Sequence, residues 1–490
     1  MNWEVVIGLE IHVQLSTSSK LFSGASTQFG APANSQACAI DLAMPGTLPV
    51  INQQAVNHAL LFGLAIDAQI PPVSIFERKN YFYPDLPKGY QTTQLDKPII
   101  GKAAIDIELS DGRKKLIRIH HAHLEEDAGK SLHEGSFGGN CSGIDLNRAG
   151  TALIEIVTEP DISSASEAVL FAKKLHRIVT SIGICDGHMA EGSMRFDVNV
   201  SVRPWGEETL GTRTETKNLN SFKFMEEAII LEVERQIEIL EGGGLIIQET
   251  RLYNGENKRA QAMRSKEEAN DYRYFPCPDL LPLVITKKQL ESLRQSLPEL
   301  PDKRLSRLID TYMISPADAK TIANQKALAD YFEQVAIGSG QPKLAANWVT
   351  GELLARLNSA DVDVNDCPVS ADQLGLLIMR LHDDIISGKM AKEIFEAIWN
   401  GGNGVDEIIE ERGFKQISDL DVLERVVTNV ININQALVKE YIVTDEKRRK
   451  KKLGAFMGQI MSASKGQANP KQANQILVKK LQQRVDSATK

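Results

Sequence analysis

The sequence predicts an α+β protein, with a sheet-based N-terminal region followed by an all-α half. Two observations predict it. Before residue 286, several segments alternate apolar and polar residues with the period of a half-buried strand, separated by Gly-, Pro- and Asn-rich stretches. From about Lys287 the glycines thin out and apolar residues recur at helical spacing. With 490 residues the chain exceeds one core, so several domains are expected. Composition is that of a globular protein, 42% apolar and 24% charged. It has no secretory leader, no span of bilayer length and only five scattered cysteines, which predicts a cytoplasmic protein without a disulfide framework or membrane partner.

Residues 4–15 alternate cleanly, so that Glu10 and His12 project side by side from the polar face. A helix is expected over 52–66. Residues 77–91 interleave Arg78, Lys79 and Lys88 with Tyr81, Phe82, Tyr83 and Tyr90 between prolines. Cations beside rings in a loop suit a phosphorylated or nucleotide ligand, the rings stacking and the cations pairing with phosphate. In 116–130, extended spacing puts Ile117, Ile119, His121, His123 and Glu125 on one face. The Ala-Gly-Lys-Ser at 128–131 lacks the upstream glycine of a phosphate-binding loop, Leu124 standing in its place.

The run 146–161 centres on a β-branched strand between Gly150 and Pro160, and it carries Glu155 and Glu159. A carboxylate on a buried strand needs a cationic partner; Arg148 is one candidate. A helix over 165–182 follows. Residues 194–202 then place Arg195, Asp197 and Asn199 on a polar face, and 212–218 align Arg213, Glu215 and Lys217. Five segments thus each present a carboxylate (Glu10, Glu125, Glu155, Asp197, Glu215) with a cationic neighbour. Such carboxylates repel one another unless a divalent cation resolves it, which is the pattern of a Mg²⁺–ATP site. In that reading Glu10, Glu125, Glu155, Asp197 and Glu215 are metal ligands. Glu125, Arg195 and Lys217 act on the transferring phosphoryl, while Lys79, Tyr81, Lys88 and Arg264 bind the cofactor. Neither a nucleophilic triad nor a catalytic cysteine arrangement is present to suggest covalent catalysis.

Beyond residue 287, helices are expected over 317–332, 371–387, 420–438, 454–462 and 473–483, with a Gly-rich break at 400–404. Net charge is −8, yet from Lys447 onward twelve Lys and Arg face one acid, Asp486. A basic tail on an acidic protein is an electrostatic footprint for RNA.

The motifs V-I-G-L-E-I-H-V-Q-L, R-K-N-Y-F-Y-P-D-L-P-K-G-Y-Q, E-E-D-A-G-K-S, L-N-R-A-G-T-A-L-I-E-I-V-T-E-P-D, M-R-F-D-V-N-V-S-V-R-P and T-K-N-L-N-S-F occur in this order. With them the chain resembles, essentially end to end, the B subunit of the aspartyl/glutamyl-tRNA amidotransferase. The resemblance implies a glutamine-synthetase-like antiparallel cradle over 1–292, a helical domain over 293–410, and a small tRNA-contacting tail over 411–490. It implies activation of the side-chain carboxylate of misacylated Glu-tRNA(Gln) or Asp-tRNA(Asn) by ATP with Mg²⁺ or Mn²⁺. Ammonia would come from an amidase A subunit, a small C subunit completing a heterotrimer. Glu10, His12 and Glu125 match the family's metal positions. Two departures stand out. Cys38 is alone where many members carry paired cysteines, so no zinc is expected, and Cys277 replaces a usual Glu.

Overall fold

The computed structural model describes residues 2–132, 141–265, 271–414, 420–444, 446–464 and 467–488. They divide into two compact units, Met1–Leu300 and Pro301–Lys490.

The first unit is built on an eight-stranded sheet. Its central strand, Trp3–Gln14, pairs antiparallel with Met194–Pro204 on one side and Ala152–Thr158 on the other. Beyond Ala152–Thr158 lie Lys114–Glu126 and Ala103–Glu108; beyond Met194–Pro204 lie Thr214–Lys217, Glu249–Asn254 and Arg259–Ser265. The alternation read from residues 4–15 decides the layering. Ile7, Leu9, Ile11 and Val13 are buried in a core shared with Ile154, Ile156, Val198 and Val200. Helices Gln53–Ala65, Ala165–Ser181 and Phe222–Glu241 contribute to that core. Ser164 and Ser221 cap the last two, each hydroxyl accepting from a backbone N–H of the first turn.

The sheet is not antiparallel throughout. Thr214–Lys217 and Glu249–Asn254 run parallel, because the connection between them is the helix Phe222–Glu241, and a helical crossover returns the chain in the same direction. A second departure lies in Lys114–Glu126. Its register against Ala152–Thr158 slips between Ile119 and His121. A bulge of this kind reverses the facing of everything beyond it. Ile117 and Ile119 therefore join the core with Ala122 and Leu124, and His121, His123 and Glu125 take the opposite face. The five residues do not share one face, as uninterrupted spacing predicted.

The second unit is helical. One core runs from Leu308 to Ile408, and another from Leu423 to Leu481. Two long helices expected from the apolar pattern are each broken. Residues 317–332 fall in Pro316–Ala323 and Lys326–Ser339, and residues 420–438 in Leu420–Ile433 and Gln435–Val443. Asn324 and Asn434 sit at the breaks, where a short amide side chain competes for backbone hydrogen bonds. Periodicity runs through both breaks because the two halves bury their apolar faces in the same core. The helix expected over 371–387 ends at His382. Those expected over 454–462 and 473–483 extend to Glu446–Ala463 and Pro470–Ala488. Among the described residues, no helix is long and apolar enough to cross a membrane.

Candidate active site

Sheet register assembles the site. On the central strand, His12 lies opposite Glu155 on one neighbour and Arg195 on the other, while Glu10 lies opposite Val157 and Asp197. His123 lies opposite Glu155 from the far side. The six expected ligands thereby fall into two adjoining groups. In each, one ligand atom per residue lies within 4.8 Å of the others: His12, Glu125 and Glu155 in the first, Glu10, Asp197 and Glu215 in the second.

In the first group, His12 Nε2 stands 3.2 Å from Glu125 Oε1 and 3.4 Å from Glu155 Oε2. His123 Nε2 stands 3.2 Å from the same Glu155 oxygen. Burial alone would depress both imidazoliums, but Glu155 and Glu125 outweigh it and carry His12 up to about 10 and His123 up to about 9. Burial also raises the two carboxyls, yet the facing histidines prevail and hold Glu125 and Glu155 below the usual carboxylate range. Glu125 is 2% exposed, and its Oε2 makes no hydrogen bond, with His123 Nε2 facing it at 3.8 Å. A buried acceptor without a hydrogen-bond donor leaves room for a closer ligand. Two carboxylates and an imidazole nitrogen fit a divalent cation, since oxygen ligands suit Mg²⁺ and a mixed nitrogen–oxygen set also suits Mn²⁺. Behind them, His121 Nε2 is 3.1 Å from His123 Nδ1 and thereby helps orient that ring. Burial, with His123 and His120 beside it, pushes His121 down to about 4.

The second group offers oxygens alone. Lys217 Nζ reaches Asp197 Oδ2 at 2.6 Å and Glu215 Oε1 at 2.9 Å. Asn199 donates to Glu10 and Thr250 to Glu215. Burial first, then Glu155, Glu215 and Asp197, raise Glu10. Burial opposes the Lys217 ammonium, but Asp197 and Glu215 raise it further.

The structure brings further cations to the rim. Arg195 donates to Asp127 at 2.9 Å, and its Nε is buried without a partner. Lys79 lies 5.1 Å from the centre of the Tyr272 ring and also approaches Tyr81. Burial disfavours its charge, but Glu125 and Glu155 raise its pKa, which places Lys79 within the field of the first group. Tyr81 donates to Gln91 and packs edge-on against Tyr272 and Tyr83. Lys88 goes elsewhere, bonded to both oxygens of Glu126 on the opposite side of the strand from Glu125. Arg148 does not meet Glu155; it faces Asp127 and donates to the carbonyls of Ala128 and Gly129. The Arg264 side chain lies outside the described residues, as do those of the basic run 447–451.

Four residues of the site carry no separate signal in the sequence. Asp127, Asn199, Tyr272 and Thr250 each hold one of the expected site residues in place. Asn199 shares the polar face of its strand with Asp197, and that alternation is the only clue to it.

Comparison with known proteins matches residues 5–291 to the GatB/GatE catalytic domain and residues 330–481 to the GatB domain. The chain is 61% identical over 482 residues to the B subunit of the aspartyl/glutamyl-tRNA(Asn/Gln) amidotransferase of Teredinibacter turnerae, across 98% of this chain and 100% of that one. The corresponding B subunit of Alcanivorax borkumensis is likewise 61% identical, and that of Pseudomonas aeruginosa 57%, over the same shares of the two chains.

Proposed function

The chain belongs to the family of the aspartyl/glutamyl-tRNA(Asn/Gln) amidotransferase B subunit, and from that premise we propose that its sheet unit activates a tRNA-borne carboxylate with ATP. The family converts misacylated Glu-tRNA(Gln) and Asp-tRNA(Asn) to Gln-tRNA(Gln) and Asn-tRNA(Asn). The observation that carries the ATP reading is the pair of donor groups on one sheet face, with Arg195, Lys217 and Lys79 beside them.

His12, Glu125 and Glu155 would hold one divalent cation, and Glu10, Asp197 and Glu215 would receive the Mg²⁺ that accompanies ATP. A cation bound there offsets phosphate charge as the phosphoryl group moves. A carboxylate oxygen of the substrate attacks the γ-phosphorus, the new P–O bond forms, and the bond to ADP breaks. Ammonia then adds to the acyl carbon, the C–O bond to phosphate breaks, and ammonia gives up one proton. Arg195, Lys217 and Lys79 supply fixed positive charge around the phosphoryl group, where preorganised charge is worth most. Lys217 is held between two carboxylates, and Lys79 between aromatic rings. Both stay protonated and are positioned before substrate arrives.

Ammonia is assigned to an amidase A subunit, with a small C subunit completing a cytoplasmic heterotrimer, as the family resemblance implies. The basic tail, 411–490, is assigned to tRNA, and the helical segment 293–410 to linking it with the cradle over 1–292. The test is γ-phosphate release from ATP by the assembled subunits with Glu-tRNA(Gln), using wild type and Glu125→Gln. Release that depends on misacylated tRNA and disappears in the variant supports the assignment; release that survives in the variant refutes it.

A further inference from the structure

The strand that carries Glu125 loses its outer neighbour before it reaches that residue. Ala103–Glu108 pairs with Lys114–Glu126 only as far as Ile119. Beyond the bulge, the backbone groups facing that edge are those of Ala122, Leu124 and Glu126, and buried backbone groups must be paired. Ala122 exchanges both of its groups with Ile100 in an isolated bridge. The Leu124 N–H then donates to Gln94 Oε1 at 3.0 Å, and the Glu126 carbonyl accepts from Gln91 Nε2 at 2.6 Å. A side-chain amide carries the donor and the acceptor of a peptide group. The two glutamines, both buried, therefore stand in for the missing strand on either side of Glu125.

The two amides are anchored differently. Gln94 is tied to the core: its Oε1 also accepts from the Ile99 N–H, and its Nε2 donates to Ser74 Oγ at 2.7 Å. Gln91 is tied to the rim. Its Oε1 accepts from the Tyr81 hydroxyl at 3.0 Å. In the ladder between Glu77–Asn80 and Tyr90–Thr93 it lies opposite Lys79, whose ammonium stands in the field of Glu125 and Glu155. The next backbone N–H, that of Thr92, donates to Glu126 Oε1 at 2.8 Å. One side chain thus joins the strand of Glu125 to the two rim groups, Lys79 and Tyr81. A further strand would satisfy the same backbone groups without tying them to the rim.

We propose that Gln91 is a positioning residue for carboxylate activation: its amide fixes the separation between Glu125 on one strand and Lys79 with Tyr81 on another, so that carboxylate and ammonium address the same phosphoryl group. This rests on the ATP reading above and adds a residue that acts through Glu125 and Lys79 rather than on the substrate. Gln94 makes three hydrogen bonds where Gln91 makes two. It serves stability alone, and it is the natural control for Gln91.

Gln91→Met and Gln94→Met, assayed in the assembled enzyme with Glu-tRNA(Gln), test it. Methionine is unbranched and fills the same space, while the amide hydrogen bonds are lost. Gln91→Met should lower kcat for tRNA-dependent ATP cleavage on the order of tenfold, the size expected when a reacting group is misplaced by a fraction of an ångström. It should also raise the Mg²⁺ concentration needed for half-maximal rate, with KM for Glu-tRNA(Gln) at the wild-type value. Gln94→Met should lose at least as much thermal stability and keep the wild-type kcat. Gln91→Asn retains a buried amide one methylene too short to span both partners, and it should repeat the loss of kcat. Wild-type kcat in folded Gln91→Met or Gln91→Asn overturns the proposal. So does a loss of kcat that merely follows melting temperature across the three variants. Either result leaves the ATP reading standing, because wild type still cleaves ATP when misacylated tRNA is present. Absence of that cleavage in wild type overturns the ATP reading and the proposal with it.

Discussion

The two compact units treat charge in opposite ways. In Met1–Leu300, Lys20, Asp41, Glu77, Glu125, Glu126, Asp127, Glu215 and Glu232 are all buried; among the described residues of Pro301–Lys490 the one buried charged side chain is Arg304. Burying a charge is costly unless it is paired or binds a cation. The first unit accepts that cost eight times, and on one sheet face it does so without pairing every oxygen. The helical unit keeps its charges at the surface, where the proposed contact with tRNA would be made. The contrast supports the proposal that chemistry belongs to the first unit and tRNA recognition to the second.

The largest expected effect is at Glu125. Glu125→Gln keeps the shape but removes a cation-binding charge, and tRNA-dependent ATP cleavage should fall about a thousandfold, equivalent to about 4 kcal/mol. Circular dichroism should stay that of wild type. An equal loss from a charge-neutralising change in the helical unit would erase the division of labour.

Glu232 comes next, 1% exposed beneath the parallel strand pair. Its carboxylate accepts from Thr214 and Gln236 and meets Arg235 and Arg251. Removing it as Glu232→Ala leaves Arg235 and Arg251 sharing Glu249 alone, so chemical denaturation should show about 3 kcal/mol lost from the first unit. Burial raises this carboxyl, but Arg235, Thr214 and Gln236 overcome it and hold the pKa below the ordinary 4.5. Its contribution is therefore complete above pH 4.5 and is lost as pH falls through the lowered folded value. Wild type should lose stability over that acid window more steeply than the variant.

A smaller effect is expected at Gly129, where a Cβ would press on the Leu146 side chain and on the carbonyls of Asp145 and Asp85 at 2.8–2.9 Å. Gly129→Ala should cost about 1–3 kcal/mol by thermal melting, and it disturbs the carbonyl that holds Arg148. The smallest is in the helical unit. Ser370 caps the helix Ala371–His382 in a reciprocal capping box with Gln373. Ser370→Ala should cost about 1 kcal/mol and leave ATP cleavage at the wild-type rate, which sharpens the contrast with Glu125.

The donor face is legible in the sequence because strands alternate with a fixed period: Glu10 and His12, then Arg195 and Asp197, fall into place from spacing alone. The bulge near His120 is not, since no glycine or proline marks it, and it alone decides that Glu125 meets His12 and His123 meets Glu155. The breaks at Asn324 and Asn434 are hidden for the converse reason, an apolar period that continues across a turn. Lys88 stands among aromatic residues in the sequence, but its pairing with Glu126 depends on which side of the strand the loop crosses, a matter of tertiary packing.

The central claim is that the carboxylate borne by tRNA takes the γ-phosphoryl group on this sheet. Its most direct measurement is the fate of heavy oxygen placed in the side-chain carboxylate of Glu-tRNA(Gln). Acyl phosphate formation on this sheet predicts that the inorganic phosphate released with amide formation carries one labelled oxygen, and that Glu125→Gln abolishes its appearance. Unlabelled phosphate from an enzyme that forms Gln-tRNA(Gln) would contradict it.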